Sequence, residues 1–232
     1  MATRARPLLV VPSTRRLETR RAVQPPRAIA ARQVSGEGAA LVERLRACAD
    51  VTATAFEHSQ STRNNARAND VLEGLIRKAR HQGDAFALIE AYDESDGRTC
   101  GCADVTALMV SGRGASAEEV VRRVPEALGL TERARYAYLS GMCVRRECRR
   151  RGVGKTLLEA CERCARKMEP RPCAMALHVD GDNEGAIALY EGRGYARAVE
   201  REVDDAFGRA SRALGGLWGG KKTKKILMWK WL

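Results

Sequence analysis

No apolar run in the 232-residue chain approaches the roughly 20 residues that a membrane-spanning helix needs, so no span is expected. Histidine is scarce: there are three, and none lies at ligand spacing from Cys100-x-Cys102 or Cys161-x-x-Cys164. A metal site is therefore not expected. Acidic residues are nearly missing from the two ends. Residues 1–33 hold eight arginines against the single acid Glu18, and residues 218–232 hold five lysines and no acid. Between them, residues 34–217 carry 28 basic and 28 acidic side chains. The formal net charge of +12 belongs to the ends, and the body gives no general reason to expect nucleic acid as a partner.

The first segment, MATRARPLLVVPSTRRLETRRAVQPPRAIAARQ, also lacks the uninterrupted apolar core of a secretory signal. It is rich in Arg, Ala and Pro, and Pro7, Pro12, Pro25 and Pro26 argue against a long helix. Its make-up is that of an organelle transit peptide, expected to be disordered over residues 1–33, with the folded domain over 34–232. This composition alone does not separate a chloroplast address from a mitochondrial one. A basic arm that stays attached and binds something acidic is the other reading. In a reducing matrix most of the eight cysteines are expected to be small buried hydrophobes, with a redox-sensitive pair as the alternative.

Periodicity predicts helices over Gly38–Ala49 and Asn65–Arg80, then a hairpin of strands Ala85–Tyr92 and Cys100–Val110 around the turn DESDGRT. Ser111–Arg135 reads as an excursion with a short helix over Ala117–Val124, before Pro125. Strand Tyr136–Val144, helix Thr156–Lys167, strand Cys173–Val179 and helix Asn183–Gly192 follow, with two further strands expected over Tyr195–Val203 and Ile226–Leu232. The sum is a mixed α/β domain.

Between strand and helix lies RRRGVGKTLLEA, Arg149–Ala160. Gly154, Lys155 and Thr156 match the end of a nucleotide-binding phosphate loop, but its first glycine would fall on Arg149. An NTPase also needs a metal-binding aspartate on an apolar strand, and neither feature is found. The stretch instead fits Arg-x-x-Gly-x-Gly through Arg149, Gly152 and Gly154 at the start of a helix. There, unpaired backbone N–H groups and a partial positive charge suit a pyrophosphate. Gly152 and Gly154 keep side chains away from those amides, and Arg149, Arg150, Arg151 and Lys155 add charge.

About thirty residues later comes HVDGDNEGAIALYEGRGY, which holds His178, Asn183, Tyr190 and the pair Gly194-Tyr195. Taken with the Arg-x-x-Gly-x-Gly turn, this segment resembles the GNAT superfamily of N-acetyltransferases over about residues 135–196. The resemblance implies the GNAT fold: a mixed, mostly antiparallel sheet flanked by helices, with a splayed strand pair that binds acetyl-CoA. It places the pyrophosphate at Arg149, Arg150, Arg151, Gly152, Val153, Gly154 and Lys155, and puts Met142, Cys143 and Val144 along the thioester slot. Backbone amides there would hold the oxyanion of the tetrahedral intermediate. Cys143 is read as structural, because no base pairs with it and the superfamily transfers directly in a ternary complex.

The same resemblance makes Tyr190 the group that protonates the departing thiolate and Asn183 a hydrogen-bonding partner of the cofactor arm. Packing on the core and helix capping are their structural alternatives. Tyr138 and His178 are similar to the tyrosine and histidine of eukaryotic protein N-terminal acetyltransferases, which relay a proton from the amine through water. A core histidine beside an aromatic is the alternative. The leader, the core motifs and Lys221–Lys225 together resemble plastid acetyltransferases of plants and algae, which implies a chloroplast address, with the mitochondrion as the alternative. The expected function is acetyl-CoA-dependent acetylation of protein N-terminal α-amines, and of lysine ε-amines, with protein or peptide substrates. The alternatives are a small-amine acetyltransferase, for which Asp93, Glu94, Asp96 and Asp180–Glu184 would offer an acidic groove, and a non-catalytic acyl-CoA-binding module.

Overall fold

A computed structural model describes residues 28–55, 63–110, 119–198 and 225–232. Helices α1 (Gly38–Ala55) and α2 (Arg63–Gln82) follow strand β1 (Ile29–Gln33), and the hairpin is β2 (Phe86–Asp93) with β3 (Thr99–Met109). Helix α3 (Glu119–Leu128) precedes β4 (Arg135–Val144), then come α4 (Val153–Ala165), β5 (Ala174–Asp180), α5 (Glu184–Glu191), β6 (Ala196–Arg197) and β7 (Lys225–Trp231). The seven strands form one sheet in the order β1-β2-β3-β4-β5-β7-β6. Every neighbouring pair is antiparallel except β4 and β5, which run parallel because α4 carries the chain across the sheet between them. This is the mixed, mostly antiparallel α/β architecture that the sequence implied.

Alternation along the strands divides the core in two. Ile89, Val105, Leu139, Met175, Leu177 and Met228 meet Val153, Leu157, Leu158 and Cys161 of α4 on one face. On the other face Phe86, Leu88, Cys102 and Cys143 meet Cys48 and Val51 of α1 and Leu75 of α2. The cysteines of Cys100-x-Cys102 therefore point to opposite faces, and among the described residues no group of three His, Cys, Asp or Glu side chains is placed to hold a metal. No helix of the described residues is long and apolar enough to cross a membrane.

Several boundaries differ from expectation. The leader was expected to run to residue 33, yet Ile29–Gln33 is an edge strand in register with Gln33 opposite Ile89. Ile29 and Ala31 pack on the core, and Arg32 reaches the buried Glu90 while stacking on Tyr92. Arginine and alanine are leader-like by composition, but here they neutralise a buried carboxylate and cover apolar surface. The expected leader up to residue 27 lies outside the described residues, as do residues 111–118 of the excursion and residues 221–224 of the lysine-rich segment. Helix α3 continues through Pro125, because Val124 and Leu128 are buried against Tyr136, Ala174 and Leu227. The strand expected over Tyr195–Val203 is two residues long where described, and residues 199–203 lie outside the described part.

Candidate active site

The parallel pairing of β4 with β5 runs from Tyr136 opposite Ala174 to Leu139 opposite Leu177 and then stops. Both strands continue, β4 to Val144 and β5 to Asp180, so they splay apart. On its other edge β4 stays paired to β3, but a bulge shifts the register between Cys102 and Asp104. The extra length falls around Gly141, whose φ of 61° is left-handed and favours glycine. The bulge also reverses the side-chain alternation. Tyr138 and Ser140 face α2 with Asp104, whereas beyond the bulge Cys143 takes that face and Met142 and Val144 turn toward α4.

The turn that follows seats a helix end beside this slot. Gly152, at φ 80°, caps α4 without any side-chain hydrogen bond, and Thr156 N–H reaches Gly152 O at 3.0 Å. The amides of Val153, Gly154 and Lys155 precede that first helical bond, and they are the donors that a helix start leaves for an outside acceptor. Helix α4 starts at Val153, three residues earlier than expected, which is what puts the glycine at the cap. Gly154 has a packing reason as well: a Cβ there would lie 3.1 Å from Leu189 and 3.5 Å from Met142. Within Arg149–Arg151 the left-handed residue is Arg150, at φ 62°.

Not all of the expected basic side chains point outward. Arg149 Nε donates to Val144 O at 3.2 Å, and its exposed remainder stays beside the turn with Arg150 and Lys155. The Arg151 side chain does not join them: Nη2 donates to Asp93 Oδ2 at 2.9 Å, which braces the turn on β2. Asp93 is likewise withdrawn from any acidic acceptor groove. The Ser95 hydroxyl and the Arg151 guanidinium hold its carboxyl down to about 2. A carboxylate depressed in the folded state contributes stability above its unfolded pKa, ~3.9, that is lost as pH falls toward 2. Asp93→Asn is expected to flatten the fall in urea midpoint between about pH 4 and pH 2; an unchanged slope would contradict this role.

On the α2 face of the splay, Tyr138 Oη and His178 Nδ1 lie 2.9 Å apart, their rings 5.9 Å between centroids. Burial, and then the Lys225 ammonium, bring His178 down to about 4. Lys225 itself pairs with Asp180 across β5 and β7. On the α4 face, Tyr190 is buried, with its hydroxyl donating to Met142 Sδ at 3.5 Å. Burial and the neighbouring Cys161 push it up to about 12, so it is a held proton donor. Asn183 is the N-cap of α5, and its Oδ1 accepts the Ala186 N–H at 3.1 Å. The cap is thus the role the structure shows, leaving its amide nitrogen for any other partner.

Cys143 is no nucleophile in this arrangement. Its Sγ lies 3.5 Å from Cys102 Sγ and 3.6 Å from Thr52 Oγ1 in the core under α1, and Cys102 together with burial raises the thiol well above its ordinary range. Met142 and Val144 bring their side chains to the α4 face, so for Cys143 only the backbone is near the slot. The structure also shows three residues that sequence reasoning passed over. Asp104 is a buried carboxylate on β3, held by Ser140 of β4 and Lys78 of α2. Its Oδ1 accepts Ser140 Oγ at 2.6 Å and Lys78 Nζ at 3.0 Å. An isolated Asp inside CGCADVTALMV was the available signal.

The comparisons with known proteins come to the same fold. The family model described as the Acetyltransferase (GNAT) family matches residues 53–195. Among solved structures, yncA from Salmonella typhimurium, described as an acetyltransferase with its cofactor acetyl-CoA, is similar at 16% identity and a TM-score of 0.55, covering 88% of this chain and 94% of that one. Arabidopsis thaliana NAA60 in complex with a bisubstrate analogue gives 16%, 0.53, 88% and 98%. The ribosomal-protein-alanine N-acetyltransferase of Brucella melitensis gives 20%, 0.52, 87% and 99%. At these identities the likeness speaks for the fold. No curated protein matches the sequence.

Proposed function

As the chain belongs to the GNAT acetyltransferase family, we propose that it moves the acetyl group of acetyl-CoA directly to protein amines, N-terminal α-amines first and lysine ε-amines second. The observation that carries this reading is the divided splay: a paired Tyr138 and His178 on one face, a buried tyrosine donor on the other, and an uncapped helix start beside them. The 2.9 Å contact between Tyr138 Oη and His178 Nδ1 supports a shared proton-relay role for the two. Relatives of this fold include proteins named for acting on a ribosomal protein's alanine or solved with a bisubstrate analogue, which supports a protein acceptor.

The chemistry follows from where each group sits. The pyrophosphate of acetyl-CoA is held by the amides of Val153, Gly154 and Lys155, with Arg149, Arg150 and Lys155 supplying charge outside the turn. The thioester lies in the slot along Met142, Cys143 and Val144, whose backbone donors stabilise the oxyanion. The acceptor amine enters on the Tyr138 face and loses its proton through Tyr138 to His178 Nδ1, with water between. Its nitrogen attacks the thioester carbon; as the tetrahedral intermediate collapses, the C–S bond breaks, the CoA thiolate takes its proton from Tyr190, and the surplus proton on the nitrogen restores the Tyr190 hydroxyl, releasing amide and CoA thiol.

Because β1 is part of the sheet, the protein to test is residues 28–232. Incubated with acetyl-CoA and a peptide library, it is expected to yield peptides acetylated at α-amines and, more slowly, at lysines, as read by mass spectrometry. Turnover on spermidine with no acetylated peptide would overturn the protein-acceptor reading in favour of a small amine. Acetyl-CoA binding without any acceptor turnover would leave only an acyl-CoA-binding module. We further propose that the segment before Ile29 directs the protein to the chloroplast. Fused to a fluorescent protein, residues 1–33 would then locate there; mitochondrial or cytosolic fluorescence would refute that address.

A further inference from the structure

On the α2 face of the sheet, two polar contacts tie α2 to β3. Lys78 and Gln82, one turn apart on α2, reach Asp104 and Thr106, alternate residues of β3: Lys78 Nζ to Asp104 Oδ1 at 3.0 Å, and Thr106 Oγ1 to Gln82 Oε1 at 3.0 Å. Asp104 is 4% exposed and Thr106 6%. A buried carboxylate is tolerated when its oxygen is satisfied. Oδ1 is satisfied here by Lys78 and by Ser140 Oγ at 2.6 Å, and Lys78 Nζ also reaches Ser140 Oγ at 3.3 Å.

Where this cluster sits gives it a meaning. Asp104 is the β3 residue at which pairing with β4 resumes after the bulge, opposite Ser140, and Ser140 is the first residue of β4 beyond the last β5 pair. The carboxylate thus grips β4 at the point where its partner on the other edge lets go. Its second oxygen faces the bulge: a Cβ built on Gly141 would fall 2.9 Å from Asp104 Oδ2, a space that only glycine leaves open. From these contacts we propose that Asp104 is a positioning residue for acetyl transfer, which sets the bulge at Gly141–Met142 through Ser140 and ties it to α2 through Lys78.

This rests on the reading of Met142–Val144 as the thioester strand. A bulge released from Asp104 relaxes along the splay, where nothing from β5 holds it, and the amides that face the oxyanion lose their aim. Misplacement of about 1 Å at a reacting centre costs up to ~100-fold in rate. The pyrophosphate turn is braced separately, on β2, by Arg151 with Asp93, so cofactor binding stays intact.

Two kinds of measurement on the full chain test the proposal. In the absence of substrates, Asp104→Asn is expected to speed amide hydrogen exchange at Gly141 and Met142 while Val153–Lys155 keep wild-type rates. With acetyl-CoA and an unmodified library peptide that the wild type acetylates, kcat is expected to fall about tenfold to a hundredfold, with the acetyl-CoA Kd within about twofold. Unchanged exchange at Gly141 and Met142 overturns the proposal whether or not an acceptor has been found, because that readout needs none. A Kd that weakens in step with kcat overturns it as well. Should Asp104→Asn fail to fold, Ser140→Ala removes the grip on β4 but keeps the Lys78–Asp104 pair. It is expected to show the same split and to be rescued by Ser140→Thr; a Ser140→Ala protein with wild-type exchange and kcat would overturn the assignment.

Discussion

Replacing Tyr190 by phenylalanine is expected to lower kcat by about 100-fold or more, with the acetyl-CoA Kd within about twofold, on the usual scale for a lost general acid. The substitution removes one oxygen and keeps the ring, which packs on Tyr195 at 5.8 Å between centroids and is buried with Ile187 in the α4 core. The hydroxyl aims at Met142 Sδ, a weak acceptor beside the proposed slot, so it gives up little when a thiolate forms there. A hydroxyl pushed up to about 12 stays protonated through the working range. Tyr190 therefore adds no basic limb to the wild-type rate below about pH 10. Steady-state rates and calorimetric binding on the same preparation would separate the two effects. A tenfold weaker Kd with unchanged kcat would make Tyr190 a packing residue.

His178→Ala is expected to reduce kcat by a comparable factor, again about 100-fold, and more than it reduces acetyl-CoA affinity. His178 lies across the slot from Tyr190, on β5 beyond its last pair with β4, where the cofactor's pyrophosphate is not held. Equal loss of both quantities would sink the base assignment. The pH dependence gives a second check. Since burial holds His178 near 4, the imidazole is neutral from pH 5 upward, and the rise of rate between about pH 6 and 9 comes from the acceptor's own α-amine, ordinarily near ~8. A wild-type acid limb centred near ~6.5 would show a histidine with its ordinary affinity for protons. The same shift bears on folding. With a folded pKa below the unfolded ~6.5, the unfolded chain binds more protons between the two values, so stability falls as pH drops from about 6.5 to about 4. Urea midpoints at pH 7 and pH 5 are expected to differ more for wild type than for His178→Ala.

The second half of the fold was legible because its elements are written in short local patterns. Gly152 and Gly154 after an apolar strand announce a helix start that needs an uncapped end, and the crossover from β4 to β5 follows from the strand-helix-strand order. The places that sequence reading missed are those where a long-range partner decides. Nothing local tells that Arg32 will meet Glu90, fifty-eight positions away, so Ile29–Gln33 read as leader. Arg151 looks like its neighbours Arg149 and Arg150 until β2 brings Asp93 beside it. Ser140 and Asp104 are polar interruptions in strands, and only their register across the bulge makes them partners. Pro125 fell on the wrong side of a helix end because tertiary burial of Val124 and Leu128 outweighed the lost backbone bond.

The position of β7 bears on how the protein is made. It comes last of the strands in sequence but lies inside the sheet, between β5 and β6, with Met228 fully buried against the α4 side. A chain emerging from the ribosome can pair β1 through β5 before β7 is available, and until then the β5 edge that carries His178 has no neighbour. Lys225, which biases His178 toward its neutral form, arrives on that same strand. Seating of β7 and closure of the His178 edge are therefore one event: until Lys225–Trp231 pairs with Ala174–Asp180, the side of β5 that carries His178 stays open.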